Sequence, residues 1–168
     1  LNNYLRDTFQ LRPPPTHEIY DDLLQIAPKT IITTNYDELI EKNFDHFSGG
    51  HSTHSIRTQT SDSLLADLRS PIRSIVKLHG CITEPDKIVL DRRSFFNAQA
   101  ENQGVFDIVR SLMTVNTVLF LGYSMSDPDI QLILENTNMS SSSSNPHYAL
   151  VQKFEHPSIR VANSATYN

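Results

Sequence analysis

The sequence predicts an α/β fold built on a mainly parallel sheet, and three observations carry that expectation. Short runs rich in β-branched and aliphatic residues occur at Thr30–Thr34, Ser74–Leu78 and Thr117–Leu121. Segments with helical spacing of apolar residues lie between them. Strands that alternate with helices are the pattern of parallel sheets joined by helical crossovers. Thirdly, each run turns abruptly polar, in "TTNYD" (Thr33–Asp37), "KLHG" (Lys77–Gly80) and "LGYSMSD" (Leu121–Asp127). Ligands of open parallel sheets bind beyond the carboxyl ends of the strands. Asn35, His79 and Gly122–Ser124 are therefore expected to converge on one crevice.

The elements follow in order. Leu1–Leu11 reads as the end of a helix that the prolines of Arg12–Pro15 stop. Thr16 stands as the N-cap of a helix with Ile19, Leu23 and Ala27 on one face, widened by Leu24 and Ile26 and closed by Pro28. After the strand Thr30–Thr34, Asp37–Phe47 is a helix with Leu39, Ile40, Phe44 and Phe47 inward. Ser48–Ser55 is a loop by composition. Between Arg57 and Pro71, Leu64, Leu65 and Leu68 suggest a short helix.

Ser74–Leu78 is the second strand and Lys87–Asp91 a short third one. Helices follow at Arg92–Gln99 and at Val105–Val115, where Val105, Ile108, Val109, Leu112 and Met113 form the apolar face. Thr117–Leu121 is the clearest strand. Asp127 caps a helix through Glu135, with Pro128 at its first position. Ser140–Pro146 is a flexible Ser-rich loop, Tyr148–Gln152 a strand and Ile159–Ala162 a last one. One domain over residues 1–168, with a core at 16–152, accounts for the whole pattern.

Composition narrows the function classes. A chain of 168 residues is long enough for one buried core. Its formal charge is −5, and its basic residues are scattered, with Arg92–Arg93 the sole adjacent pair. That speaks against a nucleic-acid partner, whose phosphates require clustered Lys and Arg. Cys81 is the single cysteine, so no intrachain disulfide and no four-cysteine zinc module is possible. A reducing, cytoplasmic setting fits. No apolar run approaches the roughly 20 residues of a membrane helix; the longest, Val115–Tyr123, is broken by Asn116 and Thr117.

Each polar motif also has a plain structural explanation. Asn35 tolerates unusual backbone angles, and Asp37 can cap the helix after it. A His before a Gly, as in His79–Gly80, is often a satisfied structural residue. Gly122 permits close backbone approach, Ser124 supplies a hydroxyl, and Asp127 and Pro128 are explained by capping alone. His51 and His54 have a spacing of three but no carboxylate or thiol near them in sequence, so no metal is assigned. Glu38, Glu41, Asp127 and Asp129 read as helix N-terminal charges favoured by the dipole. Cys81 reads as an unmodified small side chain.

Taken as an ordered set, the three motifs resemble the branch of the sirtuin-like NAD-binding family that carries T-T-N-Y-D, K-L-H-G and G-Y-S-x-x-D-P-D. The agreement covers roughly Ile19–Val151. The resemblance implies a Rossmann-like fold, a mainly parallel sheet with helices on both faces that holds NAD at its carboxyl edge. It further implies cleavage of the nicotinamide–ribose bond of NAD, which many members perform in bacterial antiviral defence. By the same resemblance Asn35 and His79 are the catalytic pair. Thr33, Thr34 and Asp37 line the ribose and nicotinamide side, and Gly122, Tyr123 and Ser124 receive the adenosine half.

Two departures shape the expectation. Sirtuin deacylases carry T-Q-N followed by an aliphatic residue and Asp, where this chain has Thr34 and Tyr36, and they carry four zinc-binding cysteines. Protein deacylation is therefore not expected. The family also begins with a Gly-rich loop that cradles the NAD phosphates, whereas the five glycines here include no G-x-G-x-x-G. The resemblance thus implies that this cradle lies upstream of Leu1, and that the chain alone binds NAD poorly and does not hydrolyse it. The rival readings are a sensor that binds NAD or ADP-ribose without turnover, and a scaffold with a vestigial pocket. A homo-oligomer or a fused or partner sensor domain is compatible with each.

Overall fold

The computed structural model describes residues 1–10, 16–123, 131 and 147–150. It divides into two compact units, Leu1–Val105 and Phe106–Asn168, each described by itself.

The first unit is built from α1 (Asn2–Phe9), α2 (Glu18–Ile26), β1 (Thr30–Thr33), α3 (Leu39–Phe47), β2 (His54–Thr58), α4 (Leu64–Arg69), β3 (Arg73–Lys77), a 3-10 turn (Pro85–Lys87) and α5 (Arg92–Glu101). Its sheet has the order β1-β3-β2, with both pairings parallel. The central strand is the most buried of the three: Ile75, Val76 and the following Leu78 are fully buried. A parallel strand covered on both faces has that character. The three strands end level, since Thr33 and Thr58 are both registered with Lys77.

Local chemistry explains the helix ends. α2 carries Glu18 and Asp21 in its first turn, where the helix dipole favours acids. It ends at Ala27, whose left-handed φ of 53° turns the chain ahead of Pro28. α5 starts with a reciprocal capping box between Asp91 and Ser94. That bonding holds the Asp91 carboxyl below its usual range. Arg73 fastens the entry of β3, with its Nε donating to the Pro28 carbonyl at 2.9 Å and its guanidinium 5.0 Å from the Phe44 ring centre. Burial lowers the Arg73 pKa.

α6 (Gln103–Val115) runs across the division into the second unit, where β4 (Leu119–Leu121) pairs in parallel with β5 (Tyr148–Leu150). Phe106, Val109 and Met113 give α6 its buried face. Tyr148 N donates to Val118 O at 2.9 Å, and Val118 N donates to Nδ1 of His147 at 3.2 Å. Burial pushes the His147 pKa down. Helices and parallel strands together make this an α/β, Rossmann-like arrangement on a small sheet.

Several expectations need correction. β4, expected in one sheet with β1 and β3, is hydrogen-bonded to β5 in a sheet of two strands. Its apolar run reports a strand but not the identity of its partner. Lys87–Asp91 is not a strand. Pro85 starts a 3-10 turn there, and Asp91 is committed to capping α5.

Conversely, β2 was expected as loop up to Ser55. It is mostly polar, and its single aliphatic residue, Ile56, is 40 % exposed. Two of its polar residues meet neighbours, Arg57 Nε lying 2.7 Å from Asp67 and Ser55 Oγ donating to Arg73 O at 3.4 Å. α2 starts at Glu18, with His17 and not Thr16 at the cap position. The expected helix Asp127–Glu135 (apart from Gln131), the Ser140–Pro146 loop and the Ile159–Ala162 strand lie outside the described residues.

Candidate active site

Two backbone bonds clamp the loop after β1 to the loop after β3. Leu78 N donates to Thr33 O at 3.0 Å, and Ile82 N donates to Tyr36 O at 2.8 Å. Asn35 falls between the two acceptors and His79 between the two donors, so both leave the same edge of the sheet.

On the β1 side, Thr33 closes the strand and its Oγ1 accepts from Asn35 N at 3.1 Å. Asn35 is exposed, while Thr33, Thr34 and Asp37 are half-buried. Asp37 Oδ1 accepts from Leu39 N at 3.0 Å. The side chain thereby turns the loop into α3, and the helix starts at Leu39 instead of Asp37. The Tyr36 ring meets Phe9 of α1 edge-on, with centroids 5.2 Å apart.

On the β3 side, the half-buried His79 ring stands edge-on to buried Phe95 at 5.6 Å. The His79 carbonyl accepts from Val89 N at 2.9 Å. Gly80 is required on two grounds. Its φ is +87°, and a Cβ there would lie 2.8 Å from Lys87 O. The same Lys87 carbonyl accepts from Nε2 of buried Gln59, just beyond β2, at 2.7 Å. All three strand ends therefore hold segments of this edge.

Beneath the loops lies a charge pair that the sequence reading missed. Lys77 is 0 % exposed and Glu41 of α3 is 4 % exposed, and their Nζ and Oε1 atoms are 2.6 Å apart. The ammonium also donates to the Asp37 carbonyl and lies 3.6 Å from Cys81 Sγ. Glu41 is thus not the surface helix charge that its position suggested. The available signal was Lys77 itself, a cation set between the apolar Ile75, Val76 and Leu78, which demands a buried counter-charge. Nearby, burial first, then the charges of Asp37 and Glu41, raise the Tyr20 phenol pKa.

In the second unit, Gly122 follows β4 directly with φ +60° and open space where a Cβ would be. Tyr123 is half-buried, its ring 6.0 Å from that of Phe120. Ser124 lies outside the described residues. Among the described residues no group of three or more His, Cys, Asp or Glu could hold a metal ion, and no helix is long and apolar enough to cross a membrane. His54 packs against Phe44, with ring centroids 6.2 Å apart.

Residues 29–168 match the SIR2-like domain. The chain belongs to that family. This SIR2-like domain is 29 % identical over 158 residues to the NAD(+) hydrolase ThsA of Enterococcus faecium, covering 91 % of the chain and 31 % of the relative. It is 32 % identical over 136 residues to the NAD(+) hydrolase ThsA of Cytobacillus dafuensis, covering 78 % and 26 % respectively. Defense-associated sirtuin 2 of Bacillus subtilis is 28 % identical over 137 residues, 77 % of the chain and 12 % of the relative. The SIR2-like domain thus spans less than a third of the length of each of these relatives. The family carried by the T-T-N-Y-D, K-L-H-G and G-Y-S motifs and the family of the match agree.

Proposed function

We propose that this domain serves an NAD hydrolase that breaks the bond between nicotinamide and ribose. Relatives named NAD(+) hydrolase support the substrate and the reaction class. One observation carries the site: Asn35 and His79 leave neighbouring parallel strands on loops clamped together by backbone bonds.

The chemistry assigned to these residues is that of hydrolysis. The glycosidic C–N bond breaks as its electron pair returns to the nicotinamide ring, which leaves neutral. Positive charge spreads over the ribose carbon and ring oxygen, and a water oxygen bonds to that carbon. The carboxamide oxygen of Asn35 offers a dipole toward this charge or holds the water. The imidazole of His79 takes a proton from the water or from a ribose hydroxyl. The products are nicotinamide, ADP-ribose and one proton.

Thr33, Thr34 and Asp37 line the ribose and nicotinamide side in this reading, and Gly122, Tyr123 and Ser124 the adenosine side. A role in antiviral defence is supported by the name of the Bacillus subtilis relative. NAD as substrate and a lone thiol fit a reducing, cytoplasmic setting. Incubation of the full-length protein with NAD, followed by chromatography, tests the proposal. Nicotinamide and ADP-ribose are expected in equal amounts, and NAD left intact under every activating condition would overturn it.

A further inference from the structure

Lys77, the last residue of β3, stands two residues before His79 and reaches, wholly inside the fold, to the other side of the same edge. A buried ion pair is weak evidence of stabilisation, because desolvation offsets much of the attraction. Apolar residues of similar volume would fill the space at least as well. The ammonium does something apolar residues would not. Besides the 2.6 Å contact to Glu41, it donates to the backbone carbonyl of Asp37. That carbonyl belongs to the loop that carries Asn35, whereas Glu41 belongs to the helix that the loop enters.

We propose that Lys77 is a positioning residue: its ammonium pins the Asn35–Asp37 loop to β3, and so fixes Asn35 relative to His79. Glu41 holds the ammonium in place, and Cys81 Sγ at 3.6 Å closes its remaining side. The proposal rests on the hydrolase reading for its effect on turnover, but the pinning of the loop is independent of it.

The test uses the full-length protein. Lys77→Met alone strands the Glu41 carboxylate and lowers the melting temperature for that reason. The deciding variant is therefore Lys77→Met with Glu41→Leu, which removes both charges and keeps the volume. Its melting temperature is expected within a few degrees of wild type, because apolar pairs replace buried ion pairs with little loss. Amide hydrogens in residues 34–39 are expected to exchange about tenfold faster or more, as a locally loosened segment does. Turnover of NAD is expected to fall roughly ten- to a hundredfold in kcat with KM little changed, the size of effect a small misplacement of a reacting group produces.

A double variant that melts, exchanges and turns over like wild type would overturn the proposal and leave Lys77 as a counter-ion only. Should wild type itself leave NAD intact, the hydrolase reading fails, and exchange in residues 34–39 still decides the role of Lys77.

Discussion

Ile82 and Tyr36 are joined by a backbone hydrogen bond of 2.8 Å, with the Ile82 amide as donor. This bond ties the loop leaving β3 to the loop leaving β1, beyond the last rung of their parallel ladder. It turns two motifs more than 40 residues apart in sequence into one local structure. What the edge can do depends on how firmly these loops are held.

Gly80 is where that hold is tightest. An alanine there needs an unfavourable positive φ and brings its Cβ to 2.8 Å from the Lys87 carbonyl. Gly80→Ala is expected to cost about 1–3 kcal/mol of stability, the usual range for local strain forced at such sites. Gly49 is the matched control, with φ +70° and nothing within 4 Å of a Cβ. Gly49→Ala is expected to cost only about 1 kcal/mol, the left-handed penalty alone. Denaturant melts of the two variants check this. Equal losses would mean that the Lys87 approach imposes no constraint.

The second unit has a pH-sensitive seam. Val118 N donates to Nδ1 of His147, which accepts only while that nitrogen is unprotonated. Burial lowers the His147 pKa from its ordinary value of 6.5. The unfolded chain therefore binds the proton more readily than the folded one. The contribution of His147 is complete above pH 6.5 and is lost as pH falls through the lower folded value. Wild type is expected to lose more stability than His147→Asn between pH 7.5 and 5, as read by melts at matched ionic strength. A constant difference between the two across that range would contradict the seam.

How far the fold was legible depended on how far each residue's surroundings are local. Apolar runs and periodicity marked β1, β3, α3 and α6, since those segments bury one face or both. They could not mark β2, where His54, Ser55 and Arg57 meet Phe44, Arg73 and Asp67, all well outside the strand itself. They also read "KIVLD" at Lys87–Asp91 as strand, because β-branched residues there serve packing while Pro85 and the Asp91 cap set the backbone.

The candidate site shows the same division. Asn35 and His79 were legible as strand-end residues, and the parallel register brings their loops together. The buried partnership of Lys77 with Glu41 was not legible, since spacing gives the helix position of Glu41 but not what faces it. β4 was recognised as a strand, yet its pairing with β5 is a tertiary choice that the run Thr117–Leu121 does not encode.

The catalytic assignment is tested most directly by NAD consumption in the full-length protein, measured for wild type, His79→Ala and Asn35→Ala beside NAD affinity and thermal melts. Loss of a general acid–base group is expected to slow turnover by roughly a hundred- to ten-thousandfold for His79→Ala. Loss of a dipole aimed at developing charge is expected to cost on the order of a hundredfold or more for Asn35→Ala. Affinity should fall only modestly and melting should hardly change, since neither side chain belongs to the buried core. Both variants consuming NAD at the wild-type rate would contradict the assignment of this edge as the catalytic site.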